Sequence, residues 1–284
     1  METITSDAQL NAAGFYWREL DGVRALICAP LEQDGFINGF STRGGGVSAM
    51  PSGALSLAGF NDDAAENILE NRRRFLKLFP GDWALAGCWQ VHGADVRVVQ
   101  TKQEAKPAEN ERGDTIYCDV IVSNAKGVLA GVKTADCVPI LLGDPVTGAY
   151  AAVHAGWRGT LATAVLAGVE HLAQEYDAKP ENLRVAIGAA AGPRCYEVGA
   201  DVIDAFTSRF EYGAKLFTPT RPGHALVDLL QANRAQLESA GVPAERIHTA
   251  PICTMCRTDL FFSYRKEKSV HGKVGRLMAV VGRK

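Results

Sequence analysis

The stretch Lys133-Thr-Ala-Asp-Cys-Val-Pro-Ile-Leu-Leu-Gly-Asp-Pro-Val-Thr-Gly-Ala-Tyr-Ala-Ala-Val-His-Ala-Gly-Trp-Arg-Gly159 decides how the chain is read. Cys137 to Leu142 is a short apolar run, Gly143 to Gly148 carries Gly, Asp-Pro and Gly, and Ala149 to His154 is a second apolar run. Two apolar runs around such residues spell a β-hairpin. With the turn centred between Pro145 and Val146, Cys137 and His154 fall directly opposite one another, with Cβ atoms roughly 4.5–5.5 Å apart. A sulfur and an imidazole at that separation can share one metal, or the imidazole can take the thiol proton. They can also be plain core residues, since Cys is among the most buried residue types. Ala155-Gly-Trp-Arg-Gly159 then breaks the strand with glycines beside a Trp and an Arg, which a purely structural strand end does not need. Pro139 cannot donate to a ladder, so the first strand is expected at an edge or irregular there.

Working outward, Ala25 to Pro30, Phe36 to Phe40, Ala84 to Val91, Val96 to Val99, Asp119 to Asn124 and Leu183 to Ile187 read as strands, and Phe261 to Arg265 and Leu277 to Val281 as closing strands. Helices are expected from Asn61, with an apolar stripe of Ile68, Leu69, Leu76 and Phe79 ended by Pro80-Gly81, and over Thr160 to Gln174, Asp201 to Phe210 and Val227 to Ala240. Residues 1–20 read as a poorly patterned leader before a single domain over 21–284, and residues 101–113 as a surface loop. Strands and helices mix without a regular βαβ alternation, which predicts an α+β class.

The 284 residues suffice for an ample core, and the net charge of −2 gives no sign of nucleic-acid or membrane-surface binding. The N-terminal residues lack a basic segment followed by an apolar one, and no run approaches ~18 apolar residues. The expected place is the cytoplasm. Seven scattered cysteines then read as reduced thiols rather than a disulfide frame. Cys253-Thr-Met-Cys256 is a lone Cys-x-x-Cys with no second pair at zinc-site spacing, so its pairing reads as incidental. In Ser41-Thr-Arg-Gly-Gly-Gly-Val-Ser48, three glycines free backbone N–H groups to face a ligand, and Arg43 adds a fork for an anion.

Thr134-Ala-Asp-Cys-Val-Pro-Ile and Val153-His-Ala-Gly-Trp-Arg-Gly resemble the two signature stretches of the laccase-domain family, whose members are also called multicopper polyphenol oxidases, peptidoglycan editing factors and purine nucleoside phosphorylases. Phe40-Ser-Thr-Arg-Gly-Gly-Gly-Val-Ser, Gln90-Val-His-Gly, Gly192-Pro-Arg-Cys-Tyr-Glu-Val-Gly and Phe261-Phe-Ser-Tyr-Arg-Lys-Glu extend the likeness from about residue 36 onward. The chain departs from the family at Ser56-Leu-Ala-Gly-Phe-Asn61, where members carry Ser-Leu-Asn-Leu-Gly, and Asn61 is left without a role.

The resemblance implies a four-layer α/β/β/α sandwich of mixed sheets, related to the catalytic domain of the cytotoxic necrotizing factor. It implies zinc held by His92, Cys137 and His154, with copper as a substitute. It implies substrate contacts at Arg43 and Asp119; deamination also needs a proton carrier, for which Asp119 and Asp136, beside Cys137 and His154 in the chemistry, are the candidates. The implied reactions are phosphorolysis of adenosine, inosine and methylthioadenosine, adenosine deamination, and editing of a peptidoglycan precursor. The implied partners are therefore a purine nucleoside and phosphate, with the oligomeric state open.

Three alternatives stand beside this. In a metal-free cysteine hydrolase, Cys137 is the nucleophile and His154 the base. A copper polyphenol oxidase is disfavoured, because a multicopper centre wants about ten imidazole donors with His-x-His pairs. This chain has six His and no such pair. A non-enzymatic scaffold is the weakest, since it has no use for a Cys/His pair beside a glycine-rich cavity.

Overall fold

The computed structural model describes residues 6–49, 52–59, 63–106 and 116–284. Two six-stranded mixed sheets form its centre. Across the first run Phe15–Leu20, Val23–Cys28, Phe36–Ser41, Leu277–Arg283, Val128–Thr134 and Ala84–Ala86, antiparallel except for the last pair. Across the second run Ile247–Thr249, Arg184–Ile187, Val138–Gly143, Tyr150–Ala155, Val120–Ser123 and Val96–Val99, parallel only at the two outer pairs.

Strand alternation sends one set of side chains from each sheet inward. Phe36, Phe40, Ala130, Val132 and Ala279 of the first sheet meet Ile121, Leu141, Tyr150 and Ala186 of the second. Phe36 and Tyr150 contact edge-on at 6.4 Å, and the buried Tyr150 hydroxyl donates to the carbonyls of Ala125 and Val128. The outer faces are equally apolar and are capped by helices. Val120, Ile140, Val153 and Ile187 pack under helices Ala164–Tyr176, Ala200–Arg209 and Leu229–Ser239. Ala25, Ile27, Leu129 and Val280 pack under Phe75 and Phe79 at the end of helix Ala65–Leu76. The α+β class and the four-layer order follow from three buried clusters stacked between these elements.

Several expectations are corrected. Residues 7–20 carry helix Asp7–Ala12 and strand Phe15–Leu20, the strand pairing at the edge of the first sheet, with Leu10 and Phe15 each 1% exposed. The capping box of Ser6 and Gln9 was the missed helix signal. The 65–76 helix buries Ile68, Asn71, Arg72 and Phe75, whereas Leu69 faces outward. Its expected start at Asn61 lies outside the described residues, as do residues 107–113 of the 101–113 loop.

Phe261 to Arg265 is not a strand but a turn leading into helix Tyr264–His271. Ser263 caps that helix: its Oγ accepts from Lys266 N, and its own N–H reaches Glu267. The helix expected over 160–174 is two, Trp157–Leu161 and Ala164–Tyr176, broken where Thr163 adopts φ +61°. Gly168 lets the second lie close to the sheet, since a Cβ there would stand 3.2 Å from Val153. Among the described residues no helix is long and apolar enough to cross a membrane.

Candidate metal and catalytic centre

The central hairpin forms with its register two residues from the symmetric one. His154 pairs with Pro139, and Val138 with Ala155, so Cys137 lies diagonal to His154, just before its strand. The reason is the turn. Asp144 N–H bonds Ala149 O, Asp144 Oδ1 accepts Val146 N, and Gly148 takes φ +76°, which closes a loop over 145–148. The offset of two residues keeps both side chains on one face. Pro139 is central rather than at an edge, and it costs no ladder bond. Pairing with the Arg184–Ile187 strand begins at Ile140, and Pro139 contributes only its carbonyl, to Gly188 N–H.

Cys137 also sits at a change of sheet. The chain leaves the first sheet at Thr134 and enters the second at Val138. His92 lies in a second such crossing, between strands Ala84–Ala86 and Val96–Val99. Gln90 ties the two crossings together: its amide donates to Lys133 O at 2.7 Å and accepts from Lys133 N at 2.8 Å. The result is that His92, Cys137 and His154 each bring a donor atom within 4.8 Å of the other two. The two imidazole rings stand 5.0 Å apart at 78°. Gly156 leaves the space for this, because a Cβ there would lie 2.8 Å from the Cys137 sulfur and 3.1 Å from the His92 ring.

Asp119 holds the centre from behind. It is fully buried and accepts from the backbone of Val91, His92 and Gly93 at 3.1, 3.0 and 2.7 Å, which fixes His92 at φ +63°. The same carboxylate bonds His154 Nδ1 at 2.7 Å. Burial raises the Asp119 carboxyl, but the His154 bond, the Gly93 N–H and the His154 charge leave it below its ordinary range. Its lone pairs orient His154 and His92.

Asp136 is similarly committed. It adopts φ +86° and accepts from Thr254 Oγ1 at 2.6 Å, Ser263 Oγ at 2.9 Å and Arg265 N at 2.8 Å. That carboxylate, accepting three hydrogen bonds, braces the turn carrying Cys137.

The electrostatics of the pair are strong. Burial would push the Cys137 thiol up, but the His154 charge and hydrogen bonds from His154 and His92 hold it down at about 6. Burial likewise lowers His154, and the Cys137 charge with the bonds to Asp119 and Cys137 raises it to about 9. Metal-free, the pair is a thiolate beside an imidazolium.

Arg43 is occupied differently from expectation. Its guanidinium donates to Thr258 O and Phe261 O, pairs with Glu267 at 2.9 Å and lies 4.6 Å over the Phe262 ring. The glycine loop is also turned inward: Gly46 N–H bonds Gly53 O, and Val47 N–H bonds the buried Asn71 side chain. Gly45 and Gly46 serve close backbone packing, since a Cβ on either would meet Gly22 O or Ala54 O at 2.3 and 2.1 Å. A second cation, Arg265, was not singled out by sequence reasoning; its guanidinium donates to Glu197 O at 3.1 Å. The Arg265 backbone binds Asp136, and its side chain lies 4.9 Å over Tyr196, whose phenol is raised by burial and then by the Cys137 charge. Both residues belong to quoted motifs, but nothing in their spacing reveals that the two loops meet.

The donor set suits zinc. Ligands at 2.0–2.3 Å around a tetrahedral ion stand about 3.4–3.8 Å apart, a small closure from the observed cluster. The Asp119 bond fixes Nδ1 of His154 as the protonated nitrogen and leaves Nε2 for a metal, the usual carboxylate–histidine arrangement.

Residues 37–284 match the family model described as multi-copper polyphenol oxidoreductase laccase. The purine nucleoside phosphorylase YlmD of Geobacillus stearothermophilus is 35% identical over 271 residues, 91% of this chain and 94% of that protein. The purine nucleoside phosphorylase YfiH of Escherichia coli K12 is 36% identical over 231 residues, 81% of this chain and 88% of that one. The crystal structure of YlmD from Geobacillus stearothermophilus superposes with a TM-score of 0.85 at 33% identity, covering 95% of this chain and 99% of that one.

Proposed function

The chain belongs to the family of multi-copper polyphenol oxidoreductase laccases, and on that premise we propose that it splits purine nucleosides with phosphate at the His92–Cys137–His154 centre. The observation that carries the proposal is the convergence of one thiol and two imidazoles within 4.8 Å, backed by relatives named purine nucleoside phosphorylases. Adenosine, inosine and methylthioadenosine are the proposed substrates, with adenosine deamination as a second reaction and peptidoglycan-precursor editing as a further role. The cytoplasm is the proposed place.

In phosphorolysis a phosphate oxygen bonds to C1′ of the sugar as the C1′–purine bond breaks. The electron pair leaves with the base, which takes up a proton. Zinc held by His92, Cys137 and His154 would supply Lewis acidity for such a step. Asp119 keeps a proton on His154 Nδ1 and so keeps Nε2 a donor. Arg265, exposed and donating to Glu197 O at 3.1 Å, is the proposed phosphate contact, since Arg43 is less exposed and paired with Glu267. Trp89 and Tyr117, exposed and paired through their backbones just before His92 and Asp119, offer flat apolar faces to a purine.

One observation favours a second reading. Asp119, His154 and Cys137 line up as carboxylate, imidazole and thiolate, with the thiol near 6, which is the layout of a metal-free cysteine hydrolase. The two readings part on Cys137. As a ligand, its sulfur resists iodoacetamide, read by peptide mapping, until a chelator is added. His92→Ala then loses one zinc equivalent together with phosphorolysis. A metal-free preparation that keeps full activity, and is killed by stoichiometric alkylation of Cys137, would overturn the metal reading in favour of the hydrolase.

A further inference from the structure

Outside the centre described above, a second group of metal-ligating side chains converges. Cys195, Cys253 and Cys256 bring their sulfurs within 4.8 Å of one another, with Cys195 and Cys256 at 3.1 Å. Cys253 and Cys256 sit at the ends of one tight turn, closed by Cys256 N–H to Cys253 O at 3.2 Å. Cys195 ends the neighbouring turn, closed by its N–H to Gly192 O at 2.9 Å. The turns are joined by Thr254 N–H to Ala190 O and by Gly192 N–H to the Cys253 sulfur at 3.1 Å. Gly192 is needed for that approach, because a Cβ would stand 3.2 Å from the same sulfur.

We propose that Cys195, Cys253 and Cys256 form a second metal site, a three-thiolate cradle for a thiophilic d¹⁰ cation of the zinc class. Thiolates select zinc and copper(I) over harder ions. Three sulfurs at 2.3 Å from zinc stand about 3.8 Å apart, which small side-chain rotations reach from the observed positions. A disulfide would use two of the sulfurs and leave the third of the cluster over. Cys256 is exposed and the other two are half-buried, so an ion can enter, and binding three thiols releases three protons. The fourth position is open to water.

The site's place gives it a task. One turn leads into Tyr196, whose phenol feels the Cys137 charge, and the other carries Thr254, which holds Asp136 beside Cys137. A metal there clamps together two loops that brace the first centre.

Zinc titration of reduced apoprotein against a chromophoric chelator tests this. The wild type takes up two equivalents, and His92→Ala and Cys256→Ser take up one each. The double variant takes up none. Cobalt(II) in His92→Ala gives a thiolate charge-transfer band that the double variant lacks. Cys195→Ser repeats the Cys256→Ser result, and unchanged circular dichroism of the surface variant Cys256→Ser excludes misfolding as the cause. If the first centre fails instead, the wild type and His92→Ala both bind one equivalent, so the two proposals are separable. Zinc uptake by His92→Ala that is absent, or that Cys256→Ser leaves intact in the double variant, refutes the second site. So does a Cys195–Cys256 disulfide that persists in reduced protein.

Discussion

Asp119→Asn is the most informative single change. Oδ2 of Asp119 accepts from Val91 and Gly93, and Oδ1 accepts from His92 and His154 Nδ1. An amide keeps one acceptor oxygen. Whichever way it turns, its NH₂ faces two donors, so two bonds to a charged acceptor are lost in a fully buried place. At about 1.5–3 kcal/mol each this amounts to about 3–6 kcal/mol. That is a large share of the roughly 5–15 kcal/mol that holds an ordinary domain together. For a chain of this size the melting midpoint falls by about 6 °C or more.

The same change frees the His154 tautomer and releases His92 from its left-handed backbone, so zinc affinity at the centre falls by about 10–100-fold. Differential scanning calorimetry of the apoprotein and competitive zinc titration in the His92 centre read the two effects separately. A variant that melts within about 2 °C of the wild type and binds zinc as tightly would refute the argument that Asp119 is the brace.

In metal-free protein, Cys137 alkylation should reach half its plateau near pH 6 and shift upward in His154→Ala, as measured by stopped-flow trapping. The stability of that pair has two limits. The Cys137 part is present above the free thiol value of 9.0 and is lost as pH falls through about 6; the His154 part is present below 6.5 and is lost as pH rises through about 9. The two parts offset one another between about 6.5 and 9, so chemical unfolding of the apoprotein should show a nearly level contribution from the pair above about 6.5 and a smaller one below about 6. Gly156→Ala should abolish zinc binding at the first centre while moving the midpoint of unfolding little, because the three atoms nearest the added methyl belong to the Cys137 and His92 side chains. Arg43→Ala should lower the melting temperature and depress phosphorolysis and deamination alike, whereas Arg265→Ala should raise the phosphate KM selectively; the reverse assignment would return the anion subsite to Arg43.

The hairpin was legible because its turn chemistry is local, and so was the shared face of Cys137 and His154. Its register was not, because Asp144 and Gly148 close a loop that a symmetric count of glycines misses. The layers followed from family likeness rather than from periodicity: both sheets are buried on two faces, so their strands read as unbroken apolar runs. Phe261 to Arg265 misled through aromatic β-propensity, while the cap at Ser263 decided the outcome. Arg43 and the glycine loop misled because a fork and free N–H groups look alike whether they meet a ligand or a carbonyl. Cys253-x-x-Cys256 looked alone because its third sulfur, Cys195, is far off in the chain and comes near only through the adjoining turns.

Strand Leu277–Arg283 lies between Phe36–Ser41 and Val128–Thr134 and pairs with both. During synthesis both neighbours emerge long before it, and until it arrives each has an open edge where its partner belongs. The first sheet therefore closes late, and Thr134, at the root of the turn that carries Cys137, pairs with Leu277. A nascent chain would hold Cys137 in an unfinished setting until this insertion clasps the sandwich. Ribosome-stalled chains ending before Leu277 should accordingly present Cys137 as an ordinary, slow thiol, and the reactive one should be born with the final strand.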